Sequence, residues 1–89
     1  YKIACGAYGE NYEWTEVVME KAGINLMWGL SYHYYCGSGR ESRSATEFGE
    51  VDWFHLLRNA LRMDEFITRH GTIMDEYIDC RRMGNLAQC

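Results

Sequence analysis

The sequence predicts an α/β fold, because strand-like segments alternate with helical ones along its 89 residues. Residues 1–7 and 24–36 are predicted strands, and helices are predicted for residues 12–22 and from residue 50 onward. The order strand, helix, strand, loop, helix favours parallel strands joined by right-handed crossovers. Two parallel strands alone cannot have both faces covered, so the pattern indicates a slice of a larger α/β domain.

The first helix is predicted from its ends and from its apolar spacing. Asn11 is a suitable N-cap, because its side-chain oxygen can accept a hydrogen bond from a backbone amide two or three residues further on. Gly23 is a candidate C-terminal cap. Trp14, Val17 and Val18 recur at helical spacing, which predicts that they form the buried stripe.

The second predicted strand divides by alternation into two faces. One face is large and amphipathic and is expected to lie under the helices; it comprises Leu26, Trp28, Leu30, Tyr32 and Tyr34. The other face turns polar at Ser31, His33 and Tyr35, towards the end of the strand. Because ligands of α/β folds bind at the carboxyl ends of strands, this polar end is the predicted functional end of the chain.

A long amphipathic helix is predicted after a polar surface loop over residues 37–47. Gly71 is a candidate break or kink within it. Its apolar stripe is predicted from spacings of three and four and comprises Phe54, Leu57, Ala60, Leu61, Met63, Ile67, His70, Met74 and Tyr77. His70 is interpreted as a packed core residue and not as a ligand.

Composition and charge exclude several classes of function. The net charge of −4 and the pI of about 5.3 argue against a nucleic-acid or anionic-membrane partner. No segment approaches the roughly 20 apolar residues of a membrane span. The wide spacing of Cys5, Cys36, Cys80 and Cys89 favours free thiols over disulfides, and a zinc site at His33 and Cys36 is disfavoured. No nucleotide or metal motif is present, so no cofactor is expected.

Six short blocks of the sequence, in order and at compatible spacing, resemble glycoside hydrolase family 51, the α-L-arabinofuranosidases. The most specific are Tyr12-Glu13-Trp14-Thr15-Glu16-Val17 and Gly29-Leu30-Ser31-Tyr32-His33-Tyr34-Tyr35; the others are Lys2-Ile3-Ala4-Cys5-Gly6, Ser44-Ala45-Thr46, Ala60-Leu61-Arg62-Met63 and Ile73-Met74-Asp75. Together they cover nearly the whole chain, from Tyr1 to about Gly84.

The resemblance implies a (β/α)8 TIM-barrel catalytic domain. Residues 1–84 would supply about two of its βα units, the fifth and the sixth, while residues 85–89 depart from the family pattern as a divergent tail. It implies retaining hydrolysis of terminal α-L-arabinofuranosyl residues from arabinan, arabinoxylan or arabino-oligosaccharides. The implied partner is an arabinofuranosyl-containing carbohydrate, and the parent enzyme is expected to be a cytoplasmic homo-oligomer.

The resemblance also implies that His33 and Tyr35 line the sugar pocket. An imidazole and a phenol on the polar face can hydrogen-bond sugar hydroxyls; the alternative is that both side chains are buried and satisfied by backbone. A retaining glycosidase needs two carboxyl groups about 5–5.5 Å apart. In the family one lies before Tyr1 and the other beyond Gly84, so no catalytic residue is assigned and the chain is expected to be inactive alone.

Several acidic and aromatic residues near the first helix have a structural interpretation. Glu10, Glu13 and Glu16 are interpreted as helix-start electrostatics and not as a catalytic pair. Trp14 is interpreted as a packing residue and not as a sugar platform. Two functional alternatives stay open: a related enzyme acting on xylosides or β-glucans, and a small non-enzymatic α/β interaction module that offers its long helix to a partner.

Overall fold

A computed structural model describes residues 1–38 and 44–82 of the chain. Over these ranges the elements in chain order are β1 Ile3–Ala4, α1 Tyr12–Lys21, α2 Gly23–Leu26, β2 Gly29–Leu30 and α3 Glu50–Arg82. The two strands pair in parallel, Ile3 opposite Gly29 and Ala4 opposite Leu30. The predicted α/β class with parallel strands is therefore confirmed. The predicted boundary at residue 84 and the tail over residues 85–89 lie outside the described residues.

The second strand begins later than the sequence predicts. The prediction of a strand from residue 24 is wrong, because Gly23–Leu26 forms the short helix α2. Helix α1 ends at Lys21 with Ala22 as its C-cap. Gly23 follows with a φ of +61°, in the left-handed region that suits glycine, next to the helix end that the sequence predicts. Leu26 and Trp28 are 67% and 72% exposed, so their predicted burial under the helices is wrong.

Helix α1 begins where the sequence predicts but turns a different face inward. The amide of Trp14 donates to Asn11 Oδ1 at 3.2 Å, which confirms the predicted N-cap. The buried residues are Thr15 and Met19, each 1% exposed, whereas Trp14 and Val17 are exposed. The predicted stripe is therefore wrong for Trp14 and Val17, while its third member, Val18, is half-buried. The indole of Trp14 instead donates a hydrogen bond of 3.1 Å to the carbonyl of Cys5, at an exposed position.

Helix α3 runs without interruption through Gly71, so the candidate break at that residue is not observed. Phe66 and His70 are the buried residues of its inner side. The predicted stripe is correct for Met63, His70, Met74 and Tyr77, which are buried or half-buried. It is wrong for five residues that are exposed: Phe54, Leu57, Ala60, Leu61 and Ile67. Within the described ranges no helix is both long enough and apolar enough to cross a membrane.

Helix α1 packs on α3 through a buried histidine. His70 is 6% exposed, and its Nε2 donates to the carbonyl of Gly9 at 2.7 Å, because a carbonyl can only accept. Its Nδ1 lies 2.7 Å from the hydroxyl of Thr15. The ring of Tyr12 lies 4.6 Å from the imidazole. The interpretation of His70 as a packed core residue is thus confirmed.

Candidate functional site

The polar end of the second strand segment lies beside the end of the first. The amide of His33 donates to the carbonyl of Ala7, and the amide of Gly9 donates to the carbonyl of His33, both at 3.0 Å. Tyr8 and His33 form a parallel bridge beyond the regular strands. The carboxyl ends of the two strand segments therefore lie side by side, as parallel pairing requires. We call this region, with Tyr8, Ser31, His33 and Tyr35, the strand-end edge.

The helix-facing side of this segment carries two tyrosines. The ring of Tyr32 lies 5.0 Å from His70, and the ring of Tyr34 lies 4.8 Å from Phe66. The hydroxyl of Tyr34 donates to the carbonyl of Asn59 at 2.8 Å. Burial raises the pKa of the Tyr32 phenol, and the neighbouring tyrosines add to the effect. The prediction that these two residues face the helices is confirmed.

Ser31 and Gly6 hold the two chain segments close together. The amide of Gly6 donates to the hydroxyl of Ser31 at 3.0 Å, and that hydroxyl lies 3.2 Å from the carbonyl of Ala4. A Cβ at position 6 would lie 1.5 Å from the carbonyl oxygen of Ser31. Only glycine allows this approach, so the spacing at the strand-end edge depends on Gly6.

His33 and Tyr35, the two predicted substrate-binding residues, both lie exposed on the strand-end edge. The Nε2 of His33 lies 3.2 Å from the hydroxyl of Ser31. Tyr35 is 80% exposed, and its carbonyl accepts a hydrogen bond of 3.0 Å from the hydroxyl of Tyr8. The alternative that His33 and Tyr35 are buried side chains satisfied by backbone is therefore wrong.

Tyr8 is a residue of this edge that the sequence reasoning did not single out. Its ring stacks on that of Tyr35 with 6.2 Å between centroids, and it is 53% exposed. The signal available in the sequence was its place directly after the first predicted strand. The edge thus offers an imidazole, a serine hydroxyl and two phenol rings. Such a set can hydrogen-bond a polyhydroxylated ligand and present aromatic faces to its C–H groups.

The acidic residues near the start of α1 have a structural role in this arrangement. Glu10 pairs with Arg62 of α3, and this hydrogen bond raises the pKa of the Arg62 guanidinium. Glu13 lies in the first turn of α1, where the helix dipole favours an acidic group. Among residues 1–38 and 44–82, no cluster of three or more His, Cys, Asp or Glu side chains is suited to hold a metal. Cys5 and Cys36 are free and exposed.

Known proteins that are similar to this chain include two arabinofuranosidases. The chain is 39% identical over 79 residues to an intracellular exo-α-L-arabinofuranosidase of Bacteroides ovatus, covering 86% of this chain and 15% of that protein. Its fold matches a crystal structure of the GH51 arabinofuranosidase of Xanthomonas axonopodis pv. citri with a TM-score of 0.79 and 46% identity. That match covers 85% of this chain and 16% of the other. No family model matches the chain.

The predicted resemblance to glycoside hydrolase family 51 is therefore confirmed, in sequence and in fold. It concerns a small part of each relative, because the chain spans 15% of the length of the curated relative and 16% of the solved structure.

Proposed function

We propose that this chain, similar to part of a family 51 arabinofuranosidase, forms one wall of the sugar pocket in a TIM-barrel glycoside hydrolase. Its β1–α1 and β2–α3 units would be the fifth and sixth of the barrel. One observation carries this proposal: the parallel bridge between Tyr8 and His33 brings two strand ends to one exposed edge. Active sites of TIM barrels are built at this end of the strands.

The proposed substrate is a carbohydrate with terminal α-L-arabinofuranosyl residues, such as arabinan, arabinoxylan or an arabino-oligosaccharide. His33 and Tyr35 would bind sugar hydroxyls, because both are exposed on the strand-end edge and both side chains can donate and accept hydrogen bonds. The bacterial relative is named for exo-acting arabinofuranosidase activity inside the cell, which supports this substrate class and a cytoplasmic parent enzyme. Assembly of the parent as a homo-oligomer stays a prediction.

The bond-breaking groups would come from outside this chain. Retaining hydrolysis needs an acid/base carboxyl and a nucleophilic carboxylate about 5–5.5 Å apart. Glu10, the acidic residue closest in sequence to the end of the first strand, is held by Arg62 of α3, which supports a structural role for it. The chain would then contribute substrate binding and pocket shape, while other strands of the parent enzyme's barrel would supply the two catalytic carboxyl groups.

An exchange of segments tests this proposal. Residues 1–82 would replace the matched segment of the Xanthomonas enzyme, whose 46% identity makes the exchange feasible. We expect the chimera to hydrolyse 4-nitrophenyl α-L-arabinofuranoside, and the 89-residue chain alone to release no nitrophenol. In the chimera, His33→Ala should lower kcat/KM by about tenfold or more, the value of a hydrogen bond of about 1.4 kcal/mol to the substrate.

The matched control is His55→Ala, which removes an exposed histidine from α3 and should leave kcat/KM unchanged. Equal effects of the two substitutions would contradict the assignment of His33 to the pocket. Nitrophenol release by the isolated chain would show that it holds its own carboxylates. A chimera that prefers the corresponding xyloside would favour the related-enzyme alternative over arabinofuranosidase activity.

A further inference from the structure

The hydroxyl of Ser31 has three polar neighbours in the strand-end edge. The amide of Gly6 lies at 3.0 Å, the carbonyl of Ala4 at 3.2 Å and the Nε2 of His33 at 3.2 Å. A serine hydroxyl can donate one hydrogen bond and accept two. All three contacts are hydrogen bonds only when the protons are distributed in one particular way.

The backbone neighbours determine that distribution. The amide of Gly6 can only donate, so the hydroxyl accepts from it. The carbonyl of Ala4 can only accept, so the single hydroxyl proton of Ser31 points to it. The remaining lone pair of the hydroxyl then accepts from His33, whose Nε2 must carry a proton. The reverse arrangement, with Ser31 donating to an unprotonated Nε2, would leave only two hydrogen bonds at the hydroxyl.

We infer that Ser31 is a positioning residue that keeps the proton of His33 on Nε2 and orients the imidazole at the strand-end edge. The neutral ring then has its lone pair on Nδ1, which has no hydrogen bond to another residue of the described ranges. A hydrogen bond at one ring nitrogen can fix which tautomer a histidine adopts, and here that bond joins Nε2 to a side chain anchored on the first strand segment.

This inference deepens the proposed function and rests on it for its consequence. If His33 binds a sugar, neutral His33 meets it with an acceptor at Nδ1, so the matching group is a donating hydroxyl. An analogue with fluorine in place of that hydroxyl retains an acceptor but has no proton to donate. The edge would therefore discriminate between a hydroxyl and its fluorinated counterpart, although the two are of similar size.

Nitrogen-15 NMR of the histidine rings in the 89-residue chain tests the inference without any sugar. The signals of His33 are assigned by their disappearance in His33→Gln, and the spectrum is recorded above the titration range of histidine. His70 is an internal reference, because its Nε2 faces a carbonyl and must carry the proton. We expect His33 to show the same Nε2–H pattern as His70.

Two variants separate positioning from structure. In Ser31→Ala the two ring nitrogen shifts of His33 should move toward each other, as the tautomers mix, while His70 keeps its pattern. Ser31→Thr, which retains a hydroxyl, should restore the wild-type pattern. Thr72→Ala is the matched control, because it removes a hydroxyl that donates to the carbonyl of Thr68 at an exposed position of α3.

An unprotonated Nε2 in wild-type His33 would overturn the inference, as would identical His33 shifts in wild type and Ser31→Ala. The wild-type spectrum decides the tautomer even if Ser31→Ala fails to fold. Because the measurement needs no sugar and no hydrolysis, its failure is distinguishable from a failure of the proposed function in the chimera.

Discussion

Adjacent residues of the segment 31–35 lie in two different environments. Tyr32 and Tyr34 lie against α3, in ring contact with His70 and Phe66. On the other side, His33 and Tyr35 are exposed at the strand-end edge. One side is held by packed rings, and the other presents polar groups to solvent.

This difference teaches that packing determines where the candidate site residues point. Successive side chains of an extended segment point to opposite faces. Once Tyr32 and Tyr34 are held on the helix, His33 and Tyr35 must lie on the far side. The face on which His33 and Tyr35 lie is thus set by the packing of their neighbours, and the predictions below disturb one side or the other.

The largest effect is expected from Phe66→Ala, on the packed side. Phe66 is 1% exposed and lies edge-on to Tyr34, so its removal leaves a cavity beneath the tyrosines. The free energy of unfolding should fall by about 3–5 kcal/mol, measured by urea denaturation. Phe54→Ala is the matched control on the same helix, since Phe54 is 58% exposed, and should change stability by less than about 0.5 kcal/mol. Similar losses of unfolding free energy in both variants would contradict the packing of Phe66 against Tyr34.

A smaller loss is expected from Gly6→Ala, on the side of the strand-end edge. The new Cβ would overlap the backbone carbonyl oxygen of Ser31. Because neither atom can rotate away as a side chain would, the first and second strand segments must separate. We expect a loss of about 1–3 kcal/mol in denaturation, together with shifted NMR signals at His33. Gly37→Ala is the control, because a Cβ placed there meets no atom within 4 Å among the described residues, its chain neighbours aside. Unchanged His33 signals in Gly6→Ala would show that the edge does not depend on this approach.

The smallest effect is a loss of stability in alkali. Burial raises the pKa of Tyr32 above its ordinary value near 10, so the folded chain retains the phenol proton more tightly than the unfolded chain. The stability that this tighter proton binding contributes is fully present below about pH 10, and it is lost as the pH rises through the raised pKa of Tyr32. The unfolding free energy should therefore fall above about pH 10, and less so in Tyr32→Phe. At pH 7 the phenol is neutral in both the folded and the unfolded chain. The difference in unfolding free energy between wild type and Tyr32→Phe at this pH therefore measures the weak contact of the hydroxyl with Gly9.

Features that depend on nearby residues could be predicted from the sequence. The Asn11 cap acts across three residues, and the two faces of 31–35 follow from alternation. The parallel pairing follows from the order of the elements. The placement of His33 and Tyr35 on one polar face was predicted in the same way; their role in binding stays a proposal.

The inward face of α1 could not be predicted, because it depends on a distant partner. Thr15 is buried by its contact with His70, which lies 55 residues further along the chain. Apolar spacing alone favoured Trp14 and Val17, which the fold leaves exposed. Similarly, a segment as short as Gly23–Leu26 does not show enough of a repeat to distinguish a helical turn from a strand.

Gly9 has a consequence for how the strand-end edge opens. Its amide donates to the carbonyl of His33, and its own carbonyl accepts from the buried Nε2 of His70. A single residue therefore joins the edge to the middle of α3. Separation of the two segments at His33 must break the hydrogen bond of the Gly9 amide, while His70 holds the carbonyl of the same residue. We therefore expect the strand-end edge and the long helix to open together, and amide hydrogen exchange at Gly9 to be as slow as exchange in the middle of α3.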